Sequence, residues 1–152
     1  MISIELLRRY PLFAGQDLDM LKQIAKLAHE KEIEEGALLF FEGEVAKMLY
    51  LVLEGGITLT MNVGDVGVYR EESLTPLRNG EVLGWSAIVE PHFYSMGAKA
   101  VEKTHLIAFE GEALRQLLDN HPDFGYHFMK KLSIVIGQRL VSKCIQLMSL
   151  VV

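Results

Sequence analysis

The first chemistry that the sequence offers is a glycine-spaced loop at residues 80–88, GEVLGWSAI, whose backbone could bind an anion. Gly84 would let the main chain approach a ligand closely. The N–H groups around Ser86, Ala87 and Ile88 would then open a short helix, and such exposed N–H groups attract negative charge. The loop therefore predicts an anion site built largely from backbone.

Length and composition bound the class of protein. The chain has 152 residues, half of them apolar and 23% charged, which is typical of one globular domain with a buried core. The net charge of −5 disfavours contact with a polyanion, so we expect no nucleic acid partner for this chain. The single cysteine, Cys144, excludes an intrachain disulfide. With no secretory signal and no run of about 18 apolar residues, we predict a cytoplasmic protein that does not enter the membrane.

No residue pattern indicates catalysis or metal binding. The five histidines show no metal-binding spacing, and no nucleophile and base stand at a recognisable spacing. We therefore expect that the protein is not an enzyme and holds no metal.

The pattern of apolar residues predicts a single domain over residues 1–152 with three consecutive parts. Residues 1–30 are predicted to form N-terminal helices. Short β-branched and aromatic runs separated by glycine turns predict a barrel or sandwich of strands at residues 33–110. Residues 112–152 are predicted to be helical again. No helix-turn-helix pattern follows, so we expect no DNA-binding domain in this chain.

Two local predictions can be placed within these parts. Residues 17–29 have the periodicity of a helix, and Asp17 can cap its start. Residues 62–73 are polar and glycine-spaced, which predicts the end of a hairpin.

The last part contains a long helical pattern at residues 124–152 with two apolar stripes. The first stripe consists of Met129, Leu132, Ile136, Leu140, Cys144, Leu147 and Val151. The second consists of Ile134, Val141, Ile145, Met148 and Val152. One stripe can pack on the barrel, and the other favours a helix–helix interface with a second chain over burial within the same domain. The residues expected to form this homodimer helix are Leu132, Ile136, Leu140, Ile145 and Met148.

Four segments resemble a known family. Residues 36–44, GALLFFEGE, and 49–55, LYLVLEG, resemble the first hairpin and the next strand of a cyclic nucleotide-binding domain of the catabolite activator (CRP/FNR) type. Residues 80–100 are similar to its phosphate-binding cassette, and residues 124–152 to its dimerising helix. The resemblance implies a mainly β fold with flanking helices. It is a double-stranded β-helix (jelly-roll) barrel with N-terminal helices and a long C-terminal helix.

The cassette departs from the family pattern at two chemically decisive positions. The family pattern is G-E-x-[LIF]-G-E-x-[AG]-[LI], followed a few residues later by R-[ST]-A. This chain has Trp85 in place of the acid after the second glycine and Tyr94 in place of the arginine. In the family the acid accepts a hydrogen bond from the ribose 2′-hydroxyl, and the arginine pairs with the cyclic phosphate. Trp85 has no acceptor and Tyr94 has no charge, so the usual contacts to cyclic AMP are disfavoured. Ser95 matches the family's Ser or Thr and would donate a hydroxyl.

The candidate ligand-binding residues are Gly84, Trp85, Ser86, Ala87, Tyr94 and Ser95. Trp85 has two interpretations: its ring fills the ligand space at the barrel mouth, or it is a platform on which a flat ligand stacks. The predicted function is a regulatory domain that senses a small-molecule effector, a cyclic nucleotide or another small anion, and signals through the C-terminal dimer helix. One alternative is an interaction module that has lost cyclic nucleotide binding. Another is the sensor part of a truncated transcription regulator.

Overall fold

The computed structural model describes residues 2–62, 69–71 and 76–150. In chain order, its α-helices are α1 (Ile4–Arg8), α2 (Leu18–Leu27), α3 (Gly111–Asn120) and α4 (Pro122–Ser149). Its strands are β1 (Ala28–Ile33), β2 (Leu38–Phe40), β3 (Met48–Glu54), β4 (Ile57–Asn62), β5 (Tyr69–Glu71), β6 (Val82–Leu83), β7 (Gly97–Ala100) and β8 (Thr104–Glu110).

Two antiparallel four-stranded sheets form the barrel. Their strand orders are β1–β8–β3–β6 and β2–β7–β4–β5. The central strands β3 and β8 are buried over most of their length, because apolar side chains of both sheets and the flanking helices cover them. This is the jelly-roll barrel that the resemblance implies, with helices before and after it, so the predicted fold is confirmed.

The helix predicted at residues 17–29 is shorter than expected. α2 begins after Asp17, whose carboxylate accepts a hydrogen bond from the Met20 N–H at 2.8 Å, as predicted for the cap. The helix ends before Ala28, which pairs with Phe109 as the first residue of β1. The prediction of helix beyond this point was therefore wrong. Pairing with the central strand β8 supplies the backbone hydrogen bonds of β1, and the local periodicity contains no sign of that distant partner.

β4 and β5 pair in antiparallel register, as expected of a hairpin within residues 62–73. The connecting residues 63–68, together with 72–75, lie outside the described part of the chain. So do Val151 and Val152, which the sequence placed on the two apolar stripes of the C-terminal helix.

An aromatic cluster fastens the N-terminal segment and the first turns of α4 to the barrel. The ring of Phe13 lies 5.4 Å from that of Phe109 on β8. It also lies 6.4 Å and 6.1 Å from the rings of Phe124 and Phe128 on α4. All four side chains are buried, so α4 starts in a fixed position against the core.

α4 is packed on the barrel at its beginning and exposed towards its end. Leu132 is fully buried, and Ile136 is partly buried against the core. By contrast Leu140, Ile145 and Met148 are 63%, 64% and 73% exposed. The prediction that Leu132 forms part of a dimer surface was therefore wrong, because this residue continues the helical face that the aromatic cluster buries.

Matched truncations on α4 test this orientation. Leu132→Ala should lower the free energy of unfolding by about 2–5 kcal/mol, because it leaves a cavity in the core. Leu140→Ala removes the same atoms from an exposed position and should cost less than about 1 kcal/mol. Urea denaturation of the two variants at one dilute protein concentration measures the difference. An equal loss in both would mean that α4 is rotated relative to the barrel.

Candidate ligand-binding site

The cassette turn follows β6, at the end of the barrel that α4 crosses, which we call the mouth. Gly84 has a φ of +78°, in the left-handed region, and opens a single 3₁₀ turn, Trp85–Ala87. A Cβ on Gly84 would lie 2.9 Å from the Met48 carbonyl oxygen and 3.3 Å from the Tyr94 ring. The backbone angle and the close packing therefore both require glycine here.

The turn itself uses most of the N–H groups that were expected to face an anion. The Ala87 N–H donates to the Gly84 carbonyl oxygen at 3.1 Å, and the Ile88 N–H donates to that of Trp85 at 2.9 Å. The Ser86 N–H makes no hydrogen bond within the described part of the chain. Of the three predicted backbone donors, the structure thus leaves that of Ser86 available to a ligand.

Two side chains that the sequence did not single out hold the turn in place. Nδ1 of His92 lies 2.7 Å from the Ser86 carbonyl oxygen. Arg115, on α3, donates from Nη1 to the Ala87 carbonyl oxygen at 3.1 Å. The turn is therefore fixed between the barrel and α3. No local pattern predicts the second contact, since it joins residues 28 positions apart.

Tyr94 is part of the barrel wall. Its hydroxyl donates to the Met48 carbonyl oxygen at 2.5 Å and accepts from the Met48 N–H at 3.2 Å. Its ring stacks on Phe40 with the centroids 3.7 Å apart, and the side chain is buried. Burial raises the pKa of the hydroxyl, so it remains a neutral donor at physiological pH. Tyr94 therefore closes the space beside Gly84.

A guanidinium group from α4 covers the face of Trp85. Cζ of Arg139 lies 4.9 Å from the indole ring centroid, within the range of a cation–π interaction. Nη2 of Arg139 donates to Oε2 of Glu81 at 3.2 Å and to the Val82 carbonyl oxygen. Trp85 thus packs at the mouth beneath a positive charge that comes from the helix. The family pattern places its arginine in the cassette instead.

Arg139 is largely withdrawn from water, with 17% of its side chain exposed. Burial lowers the pKa of the guanidinium, and the Glu81 carboxylate opposes that shift. Nε is buried and has no hydrogen-bond partner among the described residues. A buried N–H without a partner costs free energy, so Nε is a donor that a bound anion could satisfy. Arg139 was not among the site residues predicted from the sequence. Its spacing of seven residues from buried Leu132 was the available signal, because it places both on one helical face.

Arg139 lines three cavities, two of which also reach Leu59 of β4. The inner cavity has a volume of about 60 Å³ and is lined by the hydroxyl-bearing Ser86 and Ser95 and by the rings of Trp85 and Tyr94. The outer cavity, of about 220 Å³, lies between β4 and α4. Its polar lining residues are Thr58, Glu81, Ser142, Lys143 and Gln146.

Most of the predicted site residues meet at the inner cavity. The five that line it are Gly84, Trp85, Ser86, Tyr94 and Ser95. Ala87 is buried instead against Gly111 at the start of α3, where an added Cβ would lie 2.9 Å from the alanine Cβ. Ala87 therefore positions the turn and does not face the cavity.

The described residues contain no group of three or more His, Cys, Asp or Glu side chains that could hold a metal ion. Over the same residues, none of the helices combines the length and the apolar character needed to cross a bilayer.

The fold is a jelly-roll domain with a small cavity at its mouth, beside the cassette turn. Residues 30–121, which include the cassette turn, match the sequence model of the cyclic nucleotide-binding domain. The chain belongs to the cyclic nucleotide-binding domain family, which confirms the resemblance.

Three relatives show the breadth of this similarity. A solved Geobacter metallireducens protein, provisionally named a cyclic nucleotide-binding protein, is 30% identical with a TM-score of 0.77, covering 92% of this chain and 99% of that one. The catabolite activator protein of Thermus thermophilus is 26% identical with a TM-score of 0.69, over 92% of this chain and 62% of that one. A Rhodopseudomonas palustris protein, provisionally named a potassium channel protein, is 27% identical over 80% of this chain. The match spans 28% of the length of that last protein.

The wall position of Tyr94 leads to a stability prediction. Tyr94→Phe removes one hydroxyl and leaves the partly buried Met48 backbone groups without that partner, so it should lower the free energy of unfolding by about 1–3 kcal/mol. Tyr126→Phe is the control, because Tyr126 is 71% exposed and should tolerate the same change. Thermal and urea unfolding measure both variants. A Tyr94→Phe chain as stable as the unmodified one would contradict the role assigned to this hydroxyl.

Proposed function

We propose that this chain is a regulatory domain that binds a small anion at the mouth of the barrel and senses it through α4. The observation that carries the proposal is the position of Arg139. This residue belongs to the C-terminal helix, yet its guanidinium lies on Trp85 of the cassette turn and lines both the inner and the outer cavity.

The chemistry of the donors favours an anion. A guanidinium has five N–H donors in a fixed plane, and the two recorded hydrogen bonds of Arg139 both start from Nη2. Nε points to no partner among the described residues. The hydroxyls of Ser86 and Ser95 line the same inner cavity and add neutral donors. Charge-assisted hydrogen bonds from such a cluster suit a phosphate or carboxylate group.

The same position supports signalling. A ligand that pairs with Arg139 interacts directly with α4 and need not act through intervening residues. Regulation requires that the ligand bind two arrangements of the helix with different affinity. The guanidinium can provide that difference, because its hydrogen bonds to Glu81 and Val82 compete with those to a ligand.

We do not expect cyclic AMP to bind the described conformation by the contacts usual in the family. The inner cavity, at about 60 Å³, is far smaller than the 300 Å³ or so at which ligand pockets begin. Tyr94 is held in the wall by Met48, and the face of Trp85 is covered by Arg139. Among the family's ligands, we therefore propose a phosphate-bearing molecule that is held mainly through its anionic group.

A second function rests on the exposed C-terminal end of α4. This end, including the C-cap residue, carries six large apolar side chains that are at least 58% exposed: Leu140, Val141, Ile145, Leu147, Met148 and Leu150. Exposed apolar side chains on a helix favour pairing with another helix. We propose that two copies of the chain associate through this end of α4, so that the helix that reads the ligand is also the dimer helix.

The relatives also support a proposal about the regulatory role of this domain. The chain matches part of a catabolite activator protein and a smaller part of a protein named as a channel. In both of these proteins, a ligand-sensing domain of this kind would control another activity of the same protein. We propose a regulatory role of that type in the cytoplasm, with no catalysis and no nucleic acid contact by this chain.

Calorimetry tests the proposed anion site. Inorganic phosphate and 5′-AMP should bind the unmodified chain, whereas cyclic AMP should bind weakly or not at all. Arg139→Gln should weaken binding by about tenfold to a hundredfold, the loss expected for hydrogen bonds to a charged group. Lys130→Gln, which removes an exposed charge from the same helix, should have little effect. Tight cyclic AMP binding, or equal losses in the two variants, would argue against the site as proposed.

Sedimentation tests the proposed dimer. The unmodified chain should sediment as a dimer at micromolar concentration, and Ile145→Glu should yield a folded monomer, because a buried unpaired charge opposes association. Gln116→Glu adds the same charge on α3 and should leave the dimer intact. A monomeric unmodified chain would refute this interface.

A further inference from the structure

A carboxylate of the chain itself, that of Glu81, already lies at the mouth of the barrel. The Glu81 carboxylate lies 3.2 Å from Nη2 of Arg139 and is 48% exposed, whereas the arginine side chain is 17% exposed. The carboxylate thus reaches from solvent to a guanidinium that is mostly enclosed. It occupies one of the donors that an incoming anion would need.

Two further contacts hold the guanidinium in this position. Nη2 of Arg139 also donates to the Val82 carbonyl oxygen, and the face of Trp85 supports the cation from the other side. We call this set of contacts, made by Glu81, Val82 and Trp85 to Arg139, the latch. The latch joins the cassette segment to α4 across 58 residues of sequence.

The latch also divides the available space. Arg139 and Leu59 line both the inner cavity of about 60 Å³ and the outer cavity of about 220 Å³. Movement of the guanidinium away from the indole would uncover the face of Trp85 and connect the two cavities. Neither cavity alone reaches the size of an ordinary ligand pocket, so release of the latch would enlarge the site.

We propose that Glu81 is an internal competitor for the ligand, which keeps the site closed until an external anion displaces its carboxylate from Arg139. This inference rests on the proposed anion site and adds the regulation of that site. The ligand must overcome the ion pair, so its apparent affinity is lower than that of the unlatched mouth. Displacement leaves Glu81 free to turn to solvent, where its half-exposed side chain already reaches.

Glu81→Gln is the informative substitution. The amide has the shape of the carboxylate, and its oxygen can still accept a hydrogen bond from Nη2, so the fold should persist. It removes the negative charge that competes with the ligand. Glu90→Gln is the matched control, because Glu90 flanks the cassette, is exposed and undergoes the same change of charge.

Trp85 provides the readout, since it is the only tryptophan in the chain and lies under the moving group. Sodium phosphate is titrated at constant ionic strength while the emission of Trp85 is recorded. Glu81→Gln should lower the midpoint roughly two- to fivefold relative to the unmodified chain, the range for a partly exposed ion pair. Glu90→Gln should leave it unchanged. Without phosphate, Glu81→Gln should also speed amide hydrogen exchange in α4 around Arg139.

The outcomes separate this inference from the proposed function. If the unmodified chain responds to phosphate but Glu81→Gln binds no more tightly, the anion site stands and the competitor role is refuted. A response in Glu81→Gln alone would show that the latch blocks the site under these conditions. If Glu90→Gln lowers the midpoint equally, the effect is one of general charge and the inference fails. If no chain responds, both proposals fail.

Discussion

A guanidinium group that leaves water loses solvation free energy that only opposite charge and hydrogen-bond acceptors can replace. Arg139 is in that position, because α4 crosses the mouth of the barrel with this side chain pointing inward. The compensation comes from one carboxylate, one carbonyl oxygen and one indole face. The compensation is incomplete, since Nε has no partner among the described residues. This N–H is the donor that the proposed anion would satisfy.

This constraint gives a physical reason for the departures from the family pattern. Trp85 replaces an acid, and an aromatic face can stabilise a desolvated cation by about 2 kcal/mol without bringing a second negative charge. Tyr94 replaces an arginine, and its neutral hydroxyl can be buried against Met48, which a guanidinium could not be without a counter-charge. The positive charge has not been lost from the mouth. It is supplied by the helix, so it moves when the helix moves.

The parts of the fold that sequence predicted are those set by local chemistry. The glycine-spaced turns predicted the strand-rich middle of the chain. Asp17 marked the start of α2, and Gly84 marked a turn that only glycine fits. The missed features depend on contacts between distant residues. Arg139 and Glu81 are 58 positions apart, and β1 owes its conformation to β8, which neighbours it in the sheet but is distant in the sequence. Helical periodicity gave two candidate stripes for α4 but could not say which one the barrel would bury.

The two attachments of α4 differ in kind, and this difference determines what a ligand can change. The aromatic cluster holds the first turns of the helix by apolar packing that an anion at the mouth cannot weaken. The attachment at Arg139 is ionic, so an anion competes with it directly. Gly137 lies just before this second attachment, has no atom within 4 Å of an added Cβ, and lowers helix stability by about 1 kcal/mol relative to alanine. A ligand at the mouth would therefore act on the segment of α4 beyond Gly137, while the beginning of the helix stays fixed. That segment carries the exposed apolar side chains of the helix, so a change in its position would reach the surface best suited to a partner.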